Sequence, residues 1–305
     1  MTSPAGQVYP ITDVGVVAVT VEGGSEIVVL DADTLEPIAG SPFSTAYGPV
    51  AMAHDDFLDR LYVHCIATAG VPEESAVTVF DTSTAPWTEV AGSPFDIDVP
   101  AFRVAVDPVT GNLYGVSLST FWGVEVGAEG FTHLPGSPGS FDDGGGSGLA
   151  VDPELRRLYF AERIFGMTQR LHALDLDTFA PAAGSPIDFG SGSAGDVVVN
   201  PLTGDIFMID YASSRLLRAT GSPFALGDAC GSAEGCAIPD TETGLALDWE
   251  RDRLFIPHLR DTENPDTVTG RLTVWDVSDP SAPTEVTDSS SRPELGYYPI
   301  WAAVY

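Results

Sequence analysis

Short apolar segments alternate with polar turns along almost the whole chain, and one such arrangement repeats. At 104–114 the sequence VAVDPVTGNLY has an apolar run, an Asp-Pro turn and a Leu-Tyr pair whose leucine follows the aspartate by six residues. Related sequences stand at 52–62, 149–159, 197–207 and 245–255. Each copy predicts two antiparallel strands joined by a tight turn.

The spacing of these copies indicates a repeat architecture. Their turn residues follow one another at intervals of 52, 45, 48 and 48 residues, and they are Asp55, Asp107, Asp152, Asn200 and Asp248. A period of this size that is built only from short strands is typical of β-propeller blades. The sequence therefore predicts an all-β fold in which each period forms one blade.

A second pattern supports the same period. Third strands are expected to end at an aspartate that forms an Asx turn, and a Gly-Ser-Pro sequence is expected to follow near the outermost strand. The aspartates are Asp31, Asp81, Asp175 and Asp276, and the Gly-Ser-Pro glycines are Gly40, Gly92, Gly136, Gly184 and Gly221. Glycine-rich or acidic connectors are expected at 141–148, 221–243 and 259–270.

The first block lacks an inner strand of its own, and the end of the chain can supply it. Residues 300–305 form an apolar run that can pair with the first strand of that block. Such a closure joins the two otherwise open edges of a ring of blades. We therefore predict a leader at 1–14 and one domain at 15–305, a six-bladed β-propeller closed by its C-terminal strand. Seven blades are the alternative.

These repeated sequence motifs resemble those of a known protein family. Ala-Val-Asp-Pro followed by Leu-Tyr, together with Leu-Asp-x-x-Thr and Ala-Gly-Ser-Pro-Phe, resembles the lactonase-type, YVTN-repeat β-propellers over 15–305. The resemblance implies a lactonase-like hydrolase or isomerase that acts on a small molecule at the top of the central channel. Typical members have seven blades. The metal motifs of the six-bladed calcium lactonases are not recognisable in this sequence.

The strongly acidic charge of the chain disfavours some classes of binding partner. The chain has 44 acidic and 13 basic residues, a net charge of −31, and no lysine. Such a surface repels phosphate backbones and anionic lipid, so we expect neither nucleic acid nor a membrane as a partner. Without lysine there is no Schiff-base chemistry on this chain. No apolar run reaches the length of a membrane span. We expect a monomer that binds a small molecule.

Cysteine usage bears on the compartment. Cys230 and Cys236 bracket a short flexible sequence that can close a disulfide, with two unpaired thiols as the alternative. A disulfide favours an exported protein, in the periplasm or outside the cell, over a cytoplasmic one.

Polar residues stand at equivalent places in different blades. Inner strands and second strands meet at one end of a propeller, so residues at those strand ends are expected to converge around the channel mouth. At second-strand ends we place Cys65, Glu162, Asp210 and His258. At or before inner-strand starts we place Tyr47, Arg103, Asp196, Glu242 and Tyr298.

Three interpretations of this convergence are open. Glu162 or Asp210 beside His258 would form an acid-base pair, and Arg103 would orient an anionic substrate. The same carboxylates could instead bind a calcium ion, which prefers oxygen ligands. Alternatively, solvated strand ends simply carry polar residues. For the whole chain, the alternative to an enzyme is a non-catalytic module whose top loops bind a protein, a glycan or a small ligand.

Overall fold

The computed structural model describes most of the chain as β-structure, with no helix in the described part. The described residues are 16–21, 25–31, 34–55, 58–66, 75–117, 119–127, 130–140, 144–163, 169–189, 194–210, 215–222, 224–226, 236–237, 245–258, 271–286 and 299–304. The leader at 1–14 and most of the predicted connectors at 221–243 and 259–270 lie outside them. Among the described residues we find no apolar helix of the length that a bilayer requires.

The strands of the described residues pair into six antiparallel sheets, which we number I to VI. Sheet I contains β1 (Val16–Val21), β2 (Glu26–Asp31) and β3 (Phe43–Ser44). Sheet II contains β4 (Gly48–Asp55), β5 (Arg60–Ile66), β6 (Ser75–Asp81), β7 (Thr88–Glu89) and β8 (Phe95–Asp96). Sheet III contains β9 (Arg103–Val106), β10 (Leu113–Val116), β11 (Thr120–Gly127), β12 (Gly130–His133) and β13 (Gly139–Ser140).

The remaining sheets follow the same order from the inner strand outwards. Sheet IV contains β14 (Gly145–Asp152), β15 (Arg157–Arg163), β16 (Arg170–Asp175) and β17 (Ile187–Asp188). Sheet V contains β18 (Ala194–Val199), β19 (Asp205–Asp210), β20 (Arg215–Gly221), β21 (Phe224–Leu226) and β22 (Cys236–Ala237). Sheet VI contains β23 (Ala246–Asp248), β24 (Arg253–His258), β25 (Arg271–Asp276) and β26 (Thr284–Glu285).

The C-terminal strand closes the ring. Strand β27 (Pro299–Val304) pairs antiparallel with β1, with Ala303 opposite Ala18. The inner strands contact one another in the cyclic order β27, β4, β9, β14, β18, β23 and back to β27. The protein is therefore a β-propeller, and the closure predicted from the sequence is confirmed.

The core lies in the seams between neighbouring sheets. Along β5, Leu61, Val63 and Cys65 pack towards sheet I, whereas Tyr62 packs against the Trp122 side of sheet III. Because both faces of each sheet are covered, the strands carry near-continuous apolar runs instead of a strict alternation of apolar and polar residues.

The repeated turns behave as the sequence predicts. Asp107 Oδ1 accepts a hydrogen bond from Val109 N at 3.0 Å, and Asp31 Oδ1 accepts one from Thr34 N at 2.7 Å. The residue four positions after each turn Asp or Asn has a left-handed backbone; these residues are Asp59, Gly111, Arg156, Gly204 and Asp252. Both features end a strand with a tight reversal.

Four Gly-Ser-Pro glycines have φ between 87° and 91° in turns, and Gly221 is the last residue of β20, opposite Phe224 of β21. One prediction about glycines is wrong. The segment 141–148 is not a connector throughout, because β14 begins at Gly145 and forms the inner strand of sheet IV. A Cβ on Gly148 would stand 2.5 Å from Gly195 O, so glycine is required there by close packing of sheets IV and V.

Candidate functional site

One ion pair joins sheets that are not neighbours. We call the end of the ring where β9, β14 and β18 begin the top face. Arg103, at the start of β9 in sheet III, places Nε 3.5 Å from Oδ1 of Asp196 in β18 of sheet V. Leu245 N, next to β23, donates to Asp196 Oδ2 at 2.6 Å. Asp196 therefore connects three sheets near the central axis.

The surroundings of Asp196 decide its charge. Its side chain is fully buried, whereas 13% of the Arg103 side chain is exposed. Burial raises the pKa of Asp196 to about 7, and the nearby Arg103 guanidinium and the Leu245 N–H oppose that rise. The carboxyl group thus titrates near neutral pH, but it does so out of contact with solvent. Such a pair is suited to holding the sheets in register.

A second polar pair lies at the top of sheet IV. Glu162, near the end of β15, places Oε2 2.8 Å from Nε2 of His172 in β16. The Glu162 side chain is 4% exposed and that of His172 is 19% exposed. A Cβ on Gly144 would stand 2.7 Å from Glu162 Cγ, so that glycine leaves room for the carboxyl group.

The imidazole of His172 is held on two sides. Its ring stacks on Phe160 with centroids 4.5 Å apart and planes at 7°. Burial lowers the pKa of His172 more than its bond to Glu162 raises it, so the ring is neutral at pH 7. With Nε2 donating to Glu162, Nδ1 keeps its lone pair and can accept a proton.

An arginine completes this cluster. Arg170 Nη1 lies 3.8 Å from Glu162 Oε2, and Arg170 Nε donates to Asp188 Oδ1 at 3.2 Å. Arg170 thus lies between two carboxylates, Asp188 and Glu162, and Glu162 lies between Arg170 and His172. A carboxyl group that orients a neutral imidazole is the arrangement of a general acid-base pair.

His172 was not predicted as a partner of Glu162. From the sequence, His258 was expected beside Glu162 or Asp210, and no chemistry was expected of His172. The available signal was the register of the β15–β16 hairpin, in which Arg170 is opposite Glu162 and His172 is opposite Phe160. Residues two apart on one strand share a face of the sheet, so this register places His172 on the face of Glu162.

The other predicted residues lie in different surroundings. Asp210 is buried at the end of β19, opposite Arg215 in β20. Cys65 is buried in the core between sheets I and II, and burial raises the pKa of its thiol. Tyr47, just before β4, is 37% exposed.

Three predicted residues stay outside the description. Glu242 and Tyr298 are not among the described residues, and neither is the side chain of His258, whose backbone pairs with Arg271. Cys230 also falls outside them, so the Cys230–Cys236 disulfide stays a prediction. In the described ranges, no group of three or more His, Cys, Asp or Glu side chains is arranged to hold a metal ion. Calcium binding likewise stays a prediction.

Another histidine, His64, is more deeply buried than His172. His64 in β5 is fully buried, and neither ring nitrogen has a hydrogen-bond partner in the described part of the chain. Burial lowers its pKa to about 3. The indole Nε1 of Trp122, in the facing sheet III, is also buried without a partner there. The seam between sheets II and III therefore contains unmet hydrogen-bonding capacity.

Comparisons with known proteins support the fold alone. No family model and no curated protein matches the sequence. Among solved structures, a candidate 6-phosphogluconolactonase from Bacteroides fragilis is 9% identical, with a TM-score of 0.63 over 97% of this chain and 99% of that chain. A chain of a nidogen–laminin complex is 9% identical, with a TM-score of 0.62 over 95% and 98%.

A third solved structure shares the fold. TolB from Acinetobacter baumannii is 11% identical, with a TM-score of 0.60 over 95% of this chain and 66% of that chain. These likenesses and the closed ring of sheets define the chain as a β-propeller. The fold hosts both enzymes and binding proteins, so function has to be argued from the site.

Proposed function

We propose that this chain is a six-bladed, lactonase-like propeller enzyme, a hydrolase or isomerase that acts on a small molecule at the top face. The described strands form six sheets whose inner strands contact one another in cyclic order, which supports six blades over seven. The resemblance to YVTN-repeat propellers and the likeness to a candidate 6-phosphogluconolactonase support the lactonase-like class.

The hydrogen bond between Glu162 and His172 is the observation on which the proposed chemistry rests. His172 Nδ1 would accept a proton from water as its oxygen attacks a lactone carbonyl, and Glu162 would stabilise the resulting imidazolium through Nε2. The same proton would then pass to the leaving alkoxide as the ring C–O bond breaks. In an isomerase, the imidazole would move a proton between two carbons of the substrate.

We propose that Asp210 and His258, at the ends of β19 and β24, line the rim of the substrate site together with Glu242 and Tyr298, which the sequence places beside the starts of inner strands. Most of the Arg103 side chain is buried, so we expect Arg103 to hold sheets III and V together through Asp196 and not to contact substrate.

The test compares two histidines that are both hydrogen-bonded. Hydrolysis of a panel of five- and six-membered sugar lactones is followed by proton release, with and without added calcium. We expect His172→Gln and Glu162→Gln to lower kcat by about 100-fold or more. His54→Gln is the matched control, because His54 Nε2 is bonded to Thr82 Oγ1 at 2.9 Å in sheet II. An active wild type whose rate is unchanged in His172→Gln would contradict the proposed role.

One observation favours a binding function instead. Asp196 is completely buried, so its carboxyl group does not belong to a polar cluster at the channel mouth, and a binding module, unlike an enzyme, needs no such cluster. A non-catalytic module would turn over none of the lactones, yet it would still bind a protein, a glycan or a small ligand through the top loops. Absence of turnover across the panel, together with saturable binding, would favour this second function.

A further inference from the structure

A cavity opens in the seam between sheets II and III, away from the Glu162–His172 pair. Its volume is about 520 Å³, and its lining includes Tyr47, Asp96, Asp98, Phe131 and His133. Small-molecule sites are typically cavities of roughly 300–1,000 Å³ with apolar walls and a few polar groups. The size and the mixed lining of this cavity match that description.

The walls of the cavity are held in place by bonds within the protein. His133 Nε2 lies 3.1 Å from Asp98 Oδ1, and His133 Nδ1 lies 3.1 Å from Ser137 Oγ. The first contact bridges sheets II and III. Phe131 also contacts Phe95 edge-on, with ring centroids 5.8 Å apart. A preformed wall of this kind lowers the entropic cost of binding a ligand.

At the cavity, Asp96 has no arginine opposite it, whereas its counterpart in sheet IV, Asp188, is bonded to Arg170. Asp96 and Asp188 occupy the same position after their Ser-Pro sequences, and Asp188 is bonded to Arg170 across the strand pair. In sheet II the residue opposite Asp96 is Ala76. Of the described residues that line the cavity, none is an arginine. The Asp98 side chain is 80% exposed.

Aromatic rings complete the chemistry of the cavity. Tyr47 and Phe131 both belong to its lining, and the face of an aromatic ring attracts a cation. The same seam also contains two buried rings with polar atoms, those of His64 and Trp122. His64 is opposite Val77, two residues from the cavity residue Ser75, and Trp122 is two residues from the cavity residue Val124. Their ring nitrogens are buried without partners in the described part of the chain.

We propose that this cavity binds a small organic cation with an ammonium or guanidinium group. The cation would supply the positive charge that Arg170 supplies beside Asp188 in sheet IV, and it would contact the rings of Tyr47 and Phe131. The net charge of −31 favours a cation over an anion at any such site.

The experiment uses isothermal titration calorimetry on the full chain with choline and agmatine. A neutral isostere of choline, 3,3-dimethyl-1-butanol, tests the need for charge. We expect at least one cation to bind saturably, the neutral alcohol to bind about tenfold more weakly or not at all, and added salt to weaken binding. Asp98→Asn, Asp96→Asn and Tyr47→Ala should each lower the affinity for the cation by about three- to tenfold.

The control removes the same charge elsewhere. Asp279→Asn lies in the turn before β26, and Asp279 is not part of the cavity lining. We expect its affinity for the cation to match that of the wild type, and thermal melts would show that each variant is folded. The proposal is overturned if neither cation binds, if the neutral alcohol binds equally well, or if folded Asp98→Asn binds like Asp279→Asn.

Discussion

On the bottom face of the ring, where the inner strands end, Asp55, Asp107 and Asp152 occupy the same place in successive sheets. Each carboxylate accepts a backbone N–H from the turn that follows, at 3.1, 3.0 and 2.9 Å. On the top face, Glu162 is bonded to a histidine of its own sheet, whereas Arg103 pairs with a carboxylate two sheets away. The bottom turns have the same kind of hydrogen bond in each of these sheets, whereas the contacts at the top face differ from sheet to sheet.

The difference shows where a repeat is free to vary. A tight turn needs a side-chain acceptor and a left-handed residue, so those positions recur along the chain. A strand end at the top face has no such requirement, so its side chains can be used for binding or chemistry. We therefore expect substitutions at the bottom face to change stability without changing ligand binding, and buried polar groups near the top to change how stability depends on pH.

The largest expected effect concerns His64, in the top half of β5. Its pKa is about 3 when folded, below its ordinary value of 6.5, so the unfolded chain binds more protons between these values. The free energy of unfolding should therefore fall as pH drops from about 6.5 towards 3, by up to about 5 kcal/mol from this group.

The substitution His64→Leu removes this titration and should flatten the acid side of the stability profile. Urea unfolding at several pH values measures the effect. His54→Leu is the comparison, since half-buried His54 is bonded to Thr82. Parallel acid profiles for wild type and His64→Leu would contradict the assignment.

The next effect concerns the bottom face. Asp107 is fully buried, accepts hydrogen bonds from Val109 N and Thr110 Oγ1, and is paired with Arg156 of sheet IV. Asp107→Ala should lower the free energy of unfolding by about 3 kcal/mol, because it takes the acceptor from the Val109 and Thr110 donors and removes one of the two carboxylates that pair with Arg156.

Chemical denaturation measures that loss, and binding of choline or agmatine should be unchanged in the folded variant. Asp279→Ala is the control: Asp279 is also an Asx-turn residue, but its turn is exposed, so the loss of stability there should be clearly smaller than in Asp107→Ala. Equal losses in the two variants would remove the distinction between buried and exposed turns.

The smallest expected effect concerns the left-handed turn position. Asp59 has φ 49°, whereas glycine stands at the equivalent position in the turns of sheets III and V, at Gly111 and Gly204. Asp59→Gly should raise stability by about 0.5–1 kcal/mol by relieving steric strain, and Gly111→Ala should lower it by about 1 kcal/mol. Opposite signs in thermal melts would support the turn geometry, and equal signs would contradict it.

The strands, the turns and the closing strand were predictable because each has a local signature. The apolar run, the turn aspartate and the Leu-aromatic pair lie within about a dozen residues, and hairpin pairing needs only that local information. Only the Gly-rich first part of β14, at 145–148, was not recognised as strand, since its glycines reflect close packing against sheets III and V rather than a turn.

The candidate site was predictable only in part. Glu162, Arg103 and Asp196 were identified as top-face residues from their place in the repeat. Their partners depended on how side chains pack: His172 reaches Glu162 within one sheet, and Asp196 reaches Arg103 across two. The position of a residue in the repeat shows whether it lies at the top or the bottom face of the ring, but it does not show which neighbouring side chain it contacts.

The sequence by itself determined the class of fold and the period of the sheets, because hairpin pairing and turn formation depend on residues that are close along the chain. It also determined the closing of the ring, because the first block lacks an inner strand and the apolar run at the end of the chain can supply one. Only the tertiary structure decided the burial of Asp196 and His64 and the cavity between sheets II and III. Those properties depend on the distances between sheets, and those distances depend on the packing of residues far apart in the chain.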